Sequence, residues 1–90
     1  MSQFSSTSYP LSFPVGVAVD PATGAVYVSD DLNNRVQKFS STGTYWAQFG
    51  SAGSGSGQLA GPWGLAVDPS SGDLYVVDGS NNRVEKFGNP

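Results

Sequence analysis

Asp30 with Arg35, and Asp78 with Arg83, place a carboxylate and a guanidinium at the same spacing twice along this chain, each pair flanking an Asn-Asn step (Asn33-Asn34 and Asn81-Asn82). Repeated acidic and basic groups on loops could make a ring of polar contacts for a ligand. The plainer assignment is structural: an aspartate at the head of a turn accepts backbone N–H bonds, and the arginine pairs beside it. The pairs occur in both copies of a repeat, which favours the structural role. Asp20 and Asp68 each precede a proline at the end of an apolar run, where turn capping suits them better than metal ligation. Departures from the repeat are better candidates for function. Asp31 stands where the second copy has Gly79, Leu32 where it has Ser80, and Trp63 where the first copy has Val15. For Trp63 core packing is the first expectation, and a place near a channel mouth, which would make it a contact residue, the alternative. The binding candidates are therefore Asp31, Leu32, Arg35, Trp63 and Arg83; no catalytic, cofactor or metal-binding residue is assigned.

Composition narrows the chemistry further. The 90 residues include no histidine and no cysteine. That removes the commonest general base, the commonest transition-metal ligand, disulfide staples and thiolate metal sites. Calcium could still accept carboxylate, amide and carbonyl oxygens, but an enzyme built here would need a perturbed carboxylate as its base. Four basic and seven acidic residues give a net charge of −3, with both signs scattered. Nucleic acid, which binds by counterion release to a basic face, is not an expected partner. No apolar run approaches the roughly 20 residues of a membrane span, and the first residues lack the basic and apolar regions of a signal peptide. The chain as it stands is expected to be cytoplasmic.

The elements that must hold these residues are legible from an internal repeat. The segment FPVGVAVDPATGAVYVSDDLNNRVQKF, Phe13 to Phe39, returns as GPWGLAVDPSSGDLYVVDGSNNRVEKF, Gly61 to Phe87, with more than half of the positions identical. A repeat of this length is the mark of a stacked architecture. Strands are expected at 15–20 and 63–68, each stopped by Asp-Pro because proline lacks the N–H a central ladder needs. Turns follow in which Gly24 and Gly72 take the left-handed position. Second strands are expected at 25–29 and 73–77, then turns at 30–34 and 78–82 in which asparagine tolerates positive φ. Third strands follow at 35–39 and 83–87, and a fourth at 45–49 in the first copy alone. Val26-Tyr27-Val28 and Leu74-Tyr75-Val76-Val77 are apolar at successive positions, so both faces of each sheet must be covered. Four-stranded sheets stacked radially meet that demand, as in a β-propeller.

The motifs Pro-x-Gly-[Val/Leu]-Ala-Val-Asp-Pro, Gly-x-[Val/Leu]-Tyr-Val-x-Asp and Asn-Asn-Arg-Val-x-Lys-Phe together resemble the NHL repeat. Phe49-Gly50, Gly57-Gln58-Leu59 and Pro62 resemble that family's connection between blades. The resemblance implies an all-β propeller of NHL type. The expected organisation is an N-terminal segment (1–12), blade 1 (13–50), a Gly/Ser-rich connection (51–60) and blade 2 (61–90). Blade 2 lacks its own fourth strand, and Gln3-Phe4-Ser5 resembles Gln48-Phe49-Gly50. The segment 1–12 is thus expected to supply an outer strand to a neighbouring copy's blade 2, completing two four-stranded blades per chain. Family propellers usually have six blades, which implies a homotrimer; four chains with eight blades are the runner-up. Near-identical repeats also suit a fragment of a longer propeller or a design built from one.

Two function classes follow. The first is a non-catalytic, self-assembling repeat module whose loop face binds a protein, peptide or glycan, with no cofactor and no membrane or nucleic-acid partner. The second, implied by some six-bladed relatives, is a metal-dependent, calcium-type lyase or hydrolase. The missing histidine argues for the first.

Overall fold

The structure is a computed structural model and describes residues 3–5 and 10–88. Of the N-terminal segment 1–12, positions 1–2 and 6–9 lie outside the described residues, as do positions 89–90 of blade 2.

Apolar runs broken by Asp-Pro and Asn-Asn fold into two antiparallel sheets. The first contains β1 (Pro14–Val19), β2 (Val26–Asp30), β3 (Arg35–Phe39) and β4 (Tyr45–Phe49), hydrogen-bonded in chain order. The second contains β5 (Pro62–Val67), β6 (Leu74–Asp78) and β7 (Arg83–Phe87), again in chain order. Asp20 and Asp68 fall just outside the strands where strand ends were expected. Their amides close the hairpins instead, Asp20 N–H onto the Ala25 carbonyl and Asp68 N–H onto the Asp73 carbonyl, each at 2.9 Å. Gly24 and Gly72 adopt φ of 77° and 78° in these turns, a region that costs a side chain dearly. The second turn of each repeat is tighter than expected, a single 3-10 turn at Asp31–Asn33 and Gly79–Asn81. Asn34 and Asn82 end these turns in the left-handed region, at φ 52° and 53°.

Register decides which side chains share a face. In the first sheet Val17 pairs with Val28, Val19 with Val26, and Val26 with Phe39. Their side chains point one way, while those of Tyr27, Ser29 and Val36 point the other, towards the second sheet. In that sheet Leu65 pairs with Val76, Val67 with Leu74, and Leu74 with Phe87. Tyr27, Val36, Leu74 and Val76 are buried between the sheets together with Leu59 from the connection, and Phe49, Leu65, Val67 and Phe87 pack around them. Phe49 meets Phe87 with ring centroids 5.0 Å apart. The inner strands approach so closely that a Cβ on Gly16 would collide with the Trp63 carbonyl oxygen. Burial on both faces of β2 agrees with its continuous apolar run; β6 is buried on one face only.

Candidate functional site

The starts of β1 and β5, the two 3-10 turns and the connection between the sheets gather at one rim. Each strand enters or leaves the sheet there, as the pairings Pro14 with Asp30 and Pro62 with Asp78 require. The rim is held from beneath by the repeated aspartates. Asp78 has no exposed side-chain surface. Its Oδ1 accepts the Ala60 amide at 2.6 Å, and its Oδ2 accepts Asn81 Nδ2 and Arg83 Nε, both at 2.9 Å. Asp30 is equally buried and accepts the amides of Ser12 and Phe13 at 3.0 and 2.9 Å and Asn33 Nδ2 at 2.7 Å. Arg35 Nε stands 3.5 Å from it. Burial pushes both carboxyls up. For Asp30 the amides of Phe13 and Ser12, the Asn33 side chain and the Arg35 charge outweigh it. For Asp78 the Ala60 amide, Asn81 and Arg83 do the same, so both ionise below the ordinary value of 3.8.

The two arginines serve the chain itself. Arg83 reaches across the connection to donate to the carbonyls of Ser54, Gly55 and Gln58 at 2.7 to 2.9 Å, and its Nη2 lies 3.2 Å from Glu85. Arg35 donates to Gln48 Oε1 and to the Pro10 carbonyl, both at 2.7 Å. The guanidiniums therefore tie loops to strands, as the structural assignment expects. Asp31, Leu32 and Trp63 occupy the outer rim. Leu32, on the first 3-10 turn, is 64% exposed, and Trp63, near the start of β5, is 56% exposed rather than packed in the core as expected. Gly61 brings two of the candidates near one another: a Cβ there would lie 3.0 Å from Asp31 Oδ1, and the Gly61 carbonyl borders Gly79, over which the Trp63 ring lies. Gly61 N–H donates to Asn34 Oδ1 at 2.9 Å, fixing the first blade's turn to the connection. The arrangement offers a carboxylate beside exposed apolar surface, suited to holding a ligand by contact. Among the described residues no three or more acidic, histidine or cysteine side chains gather as metal ligands would.

One polar contact escaped the sequence reading. Ser29, fully buried, donates its hydroxyl to the Trp63 carbonyl of the other sheet at 2.6 Å. The available signal was its departure from the repeat, since the equivalent residue is Val77.

Meandering antiparallel sheets, stacked face to face with their connections at one rim, are blades of a β-propeller. The NHL repeat family model matches residues 11–39 and 59–87, well over half of the chain. The chain belongs to the NHL repeat family. It is 50% identical over 44 residues to peptidylglycine alpha-amidating monooxygenase of Rattus norvegicus and to the same enzyme of Mus musculus. The matched stretch is 48% of this chain and 4% of either enzyme, so the chain spans a small fraction of those relatives. Among solved structures, an auxiliary nutrient binding protein from Bacteroides thetaiotaomicron superposes with a TM-score of 0.69. That alignment covers 94% of this chain and 25% of the other at 17% identity, a likeness of fold alone. No helix among the described residues is long and apolar enough to cross a membrane.

Proposed function

We propose that the chain is a non-catalytic, self-assembling propeller module, three copies closing a six-bladed ring that presents ligand-binding loops on one rim. One observation carries this reading: the two outward faces of the chain repeat the two halves of its own internal junction. The outward face of the second sheet carries Ala66, Tyr75, Val77, Val84 and Lys86, the equivalents of Ala18, Tyr27, Ser29, Val36 and Lys38, which face the second sheet inside the chain. The outward face of the first sheet carries Val17, Val19, Val26, Val28 and Phe39, equivalent to the packed Leu65, Val67, Leu74, Val76 and Phe87. Val17, Val19, Val77 and Val84 are 63, 55, 43 and 61% exposed in the single chain. Covering each would stabilise the assembly by about 1 kcal/mol.

The N-terminal segment supports the same closure. Phe4 packs edge-on against Phe39 with centroids 5.9 Å apart, as Phe49 from a fourth strand packs on Phe87. Residues 3–5 thus lie where the fourth strand of a preceding blade would run. In the assembly they complete the three-stranded blade 2 of the neighbouring copy and cover the free edge of β7. Because such a contact runs head to tail, it closes as a ring or grows as a fibre. Six blades favour three chains; four chains with eight blades are the alternative closure. On the rim, Asp31, Leu32 and Trp63 would contact a protein, peptide or glycan.

Native mass spectrometry and light scattering test the assembly. Three-chain mass is expected, and a chain that runs singly at all concentrations overturns the reading. Deleting residues 1–8 should break or weaken the ring; a truncated trimer of unchanged stability would refute the strand exchange. For the rim, Trp63→Ala and Asp31→Ala should abolish hits of the parent protein on glycan and peptide arrays, and retained hits would move the binding surface elsewhere.

A further inference from the structure

The inner end of the first sheet's outward face holds an open apolar groove of about 250 Å³, lined by Pro14, Val15, Gly16, Val17 and Val28. Phe4 and Leu11 pack against Val26, Val28 and Phe39, so the N-terminal segment covers the outer part of the same face. The coverage is not arbitrary. Leu11 is the repeat equivalent of Leu59, which is fully buried inside the chain's own junction.

Resting on the assembly proposed above, we infer that the groove is the seat of a second copy's Val77, and that this junction differs chemically from the one inside the chain. The occupant follows from continuity with the internal junction. There, the surface equivalent to the groove consists of Pro62, Trp63, Gly64, Leu65 and Val76, and what lies against it is Ser29 and Gly16 of the first sheet. The Ser29 hydroxyl bonds the Trp63 carbonyl, and the Gly16 backbone closes over the same oxygen. Carried across to the next copy, Ser29 becomes Val77, Gly16 becomes Gly64, and the Trp63 carbonyl becomes that of Val15.

Valine has no donor for that carbonyl. The junction between copies is therefore made by apolar burial, where the internal one adds a buried hydrogen bond. The difference also fixes polarity: Val77 lies only on the tail face and the groove only on the head face, so tail meets head and neither face meets itself. The internal junction, once formed, is the tighter of the two, and the ring opens between chains before any chain opens within.

Surface substitutions on the full chain test this. Val77→Asp puts a charge on the tail face, and Val17→Asp puts one in the groove of the head face. Both positions are exposed in the single chain, and far-UV circular dichroism establishes that each variant keeps its strands. Each alone is expected to run as a single chain. Mixed in equal amounts, their intact faces should join to give a two-chain complex that cannot extend or close. Val77→Ser, which restores a donor opposite the Val15 carbonyl, should keep the parent ring and raise its resistance to dilution. If the Val77→Asp variant retains the ring mass, pairs with itself through the head face, or fails to pair with Val17→Asp, the inference is overturned while the assembly stands. A parent protein that is itself a single chain instead removes the assembly on which the inference rests.

Discussion

Replacing Asp78 by alanine removes the acceptor on which the rim of the second blade is built. The carboxylate is fully buried and takes three donors: the Ala60 amide at 2.6 Å, Asn81 Nδ2 at 2.9 Å and Arg83 Nε at 2.9 Å. Hydrogen bonds to a charged group contribute roughly 1.5–3 kcal/mol each, but the donors recover part of this by rehydration. Arg83 is about a third exposed and retains its carbonyl acceptors at Ser54, Gly55 and Gln58. The Ala60 amide, half-buried and bonded to the carboxylate at 2.6 Å, loses its acceptor. Breaking a buried ion pair from one side typically costs about 3–5 kcal/mol, so a loss of about 3 kcal/mol is expected for Asp78→Ala. That is a large share of the roughly 5–15 kcal/mol available to a domain. The same change at Asp30 should cost less, because Arg35 stands at 3.5 Å and its guanidinium is already bound to Gln48 and Pro10. Urea unfolding at fixed protein concentration, followed by tryptophan fluorescence, gives both values. A loss below about 1 kcal/mol at Asp78, or a larger loss at Asp30, would refute the view that these carboxylates anchor the loops.

Ser29→Val substitutes the residue that the second repeat carries and deletes the bond to the Trp63 carbonyl; urea unfolding should show a loss of about 1–2 kcal/mol. Stability should also fall in acid. Asp30 and Asp78 ionise below 3.8 when folded, so their contribution is complete well above that unfolded value and is lost as pH falls through the lower folded one; a melting temperature that stays level down to pH 2 would contradict this. Chelator is expected to leave the melting temperature unchanged, and a large drop after dialysis against it would reveal a structural metal and revive the calcium-dependent alternative.

The strands were legible because prolines and asparagines mark their ends, and the faces were legible because valines and tyrosines sit at successive positions. Val26-Tyr27-Val28 demanded cover on both sides, and β2 has it. The same pattern in β6 leaves Tyr75 and Val77 exposed in one chain, a demand the sequence states but a single copy does not meet. The turns at 30–34 and 78–82 were legible, but their 3-10 form was not, because three residues are too few to show a period. Ser29 was missed for a different reason. A serine inside a strand has no visible partner until the neighbouring sheet is in place, and its acceptor is a backbone carbonyl that no side-chain pattern encodes. For the rim, the departures Asp31, Leu32 and Trp63 were readable as outliers, yet the approach of Asp31 to Gly61, and of Trp63 to Gly79 beside it, depends on the path of the connection.

Unequal junctions have a consequence for binding valence. Asp31 and Leu32 belong to the first blade's turn, while Trp63 belongs to the start of the second blade; inside the chain Gly61 stands between Asp31 and Gly79, against which the Trp63 ring lies. In the proposed ring, the junction between chains would bring Gly79 and Ser80 towards Val15 instead. A closed ring would therefore offer one full set of rim residues per chain, not one per blade. Three chains would show three like sets related by rotation, spaced by intervening rims that lack both the carboxylate and the large apolar groups. Weak contacts to a glycan or peptide at one set would be multiplied wherever a ligand can span two, because the second contact is made at high effective concentration. On the proposed reading, assembly and binding would be one property: a variant that opens the ring would leave each rim site intact and still lose most of its hold on a multivalent ligand.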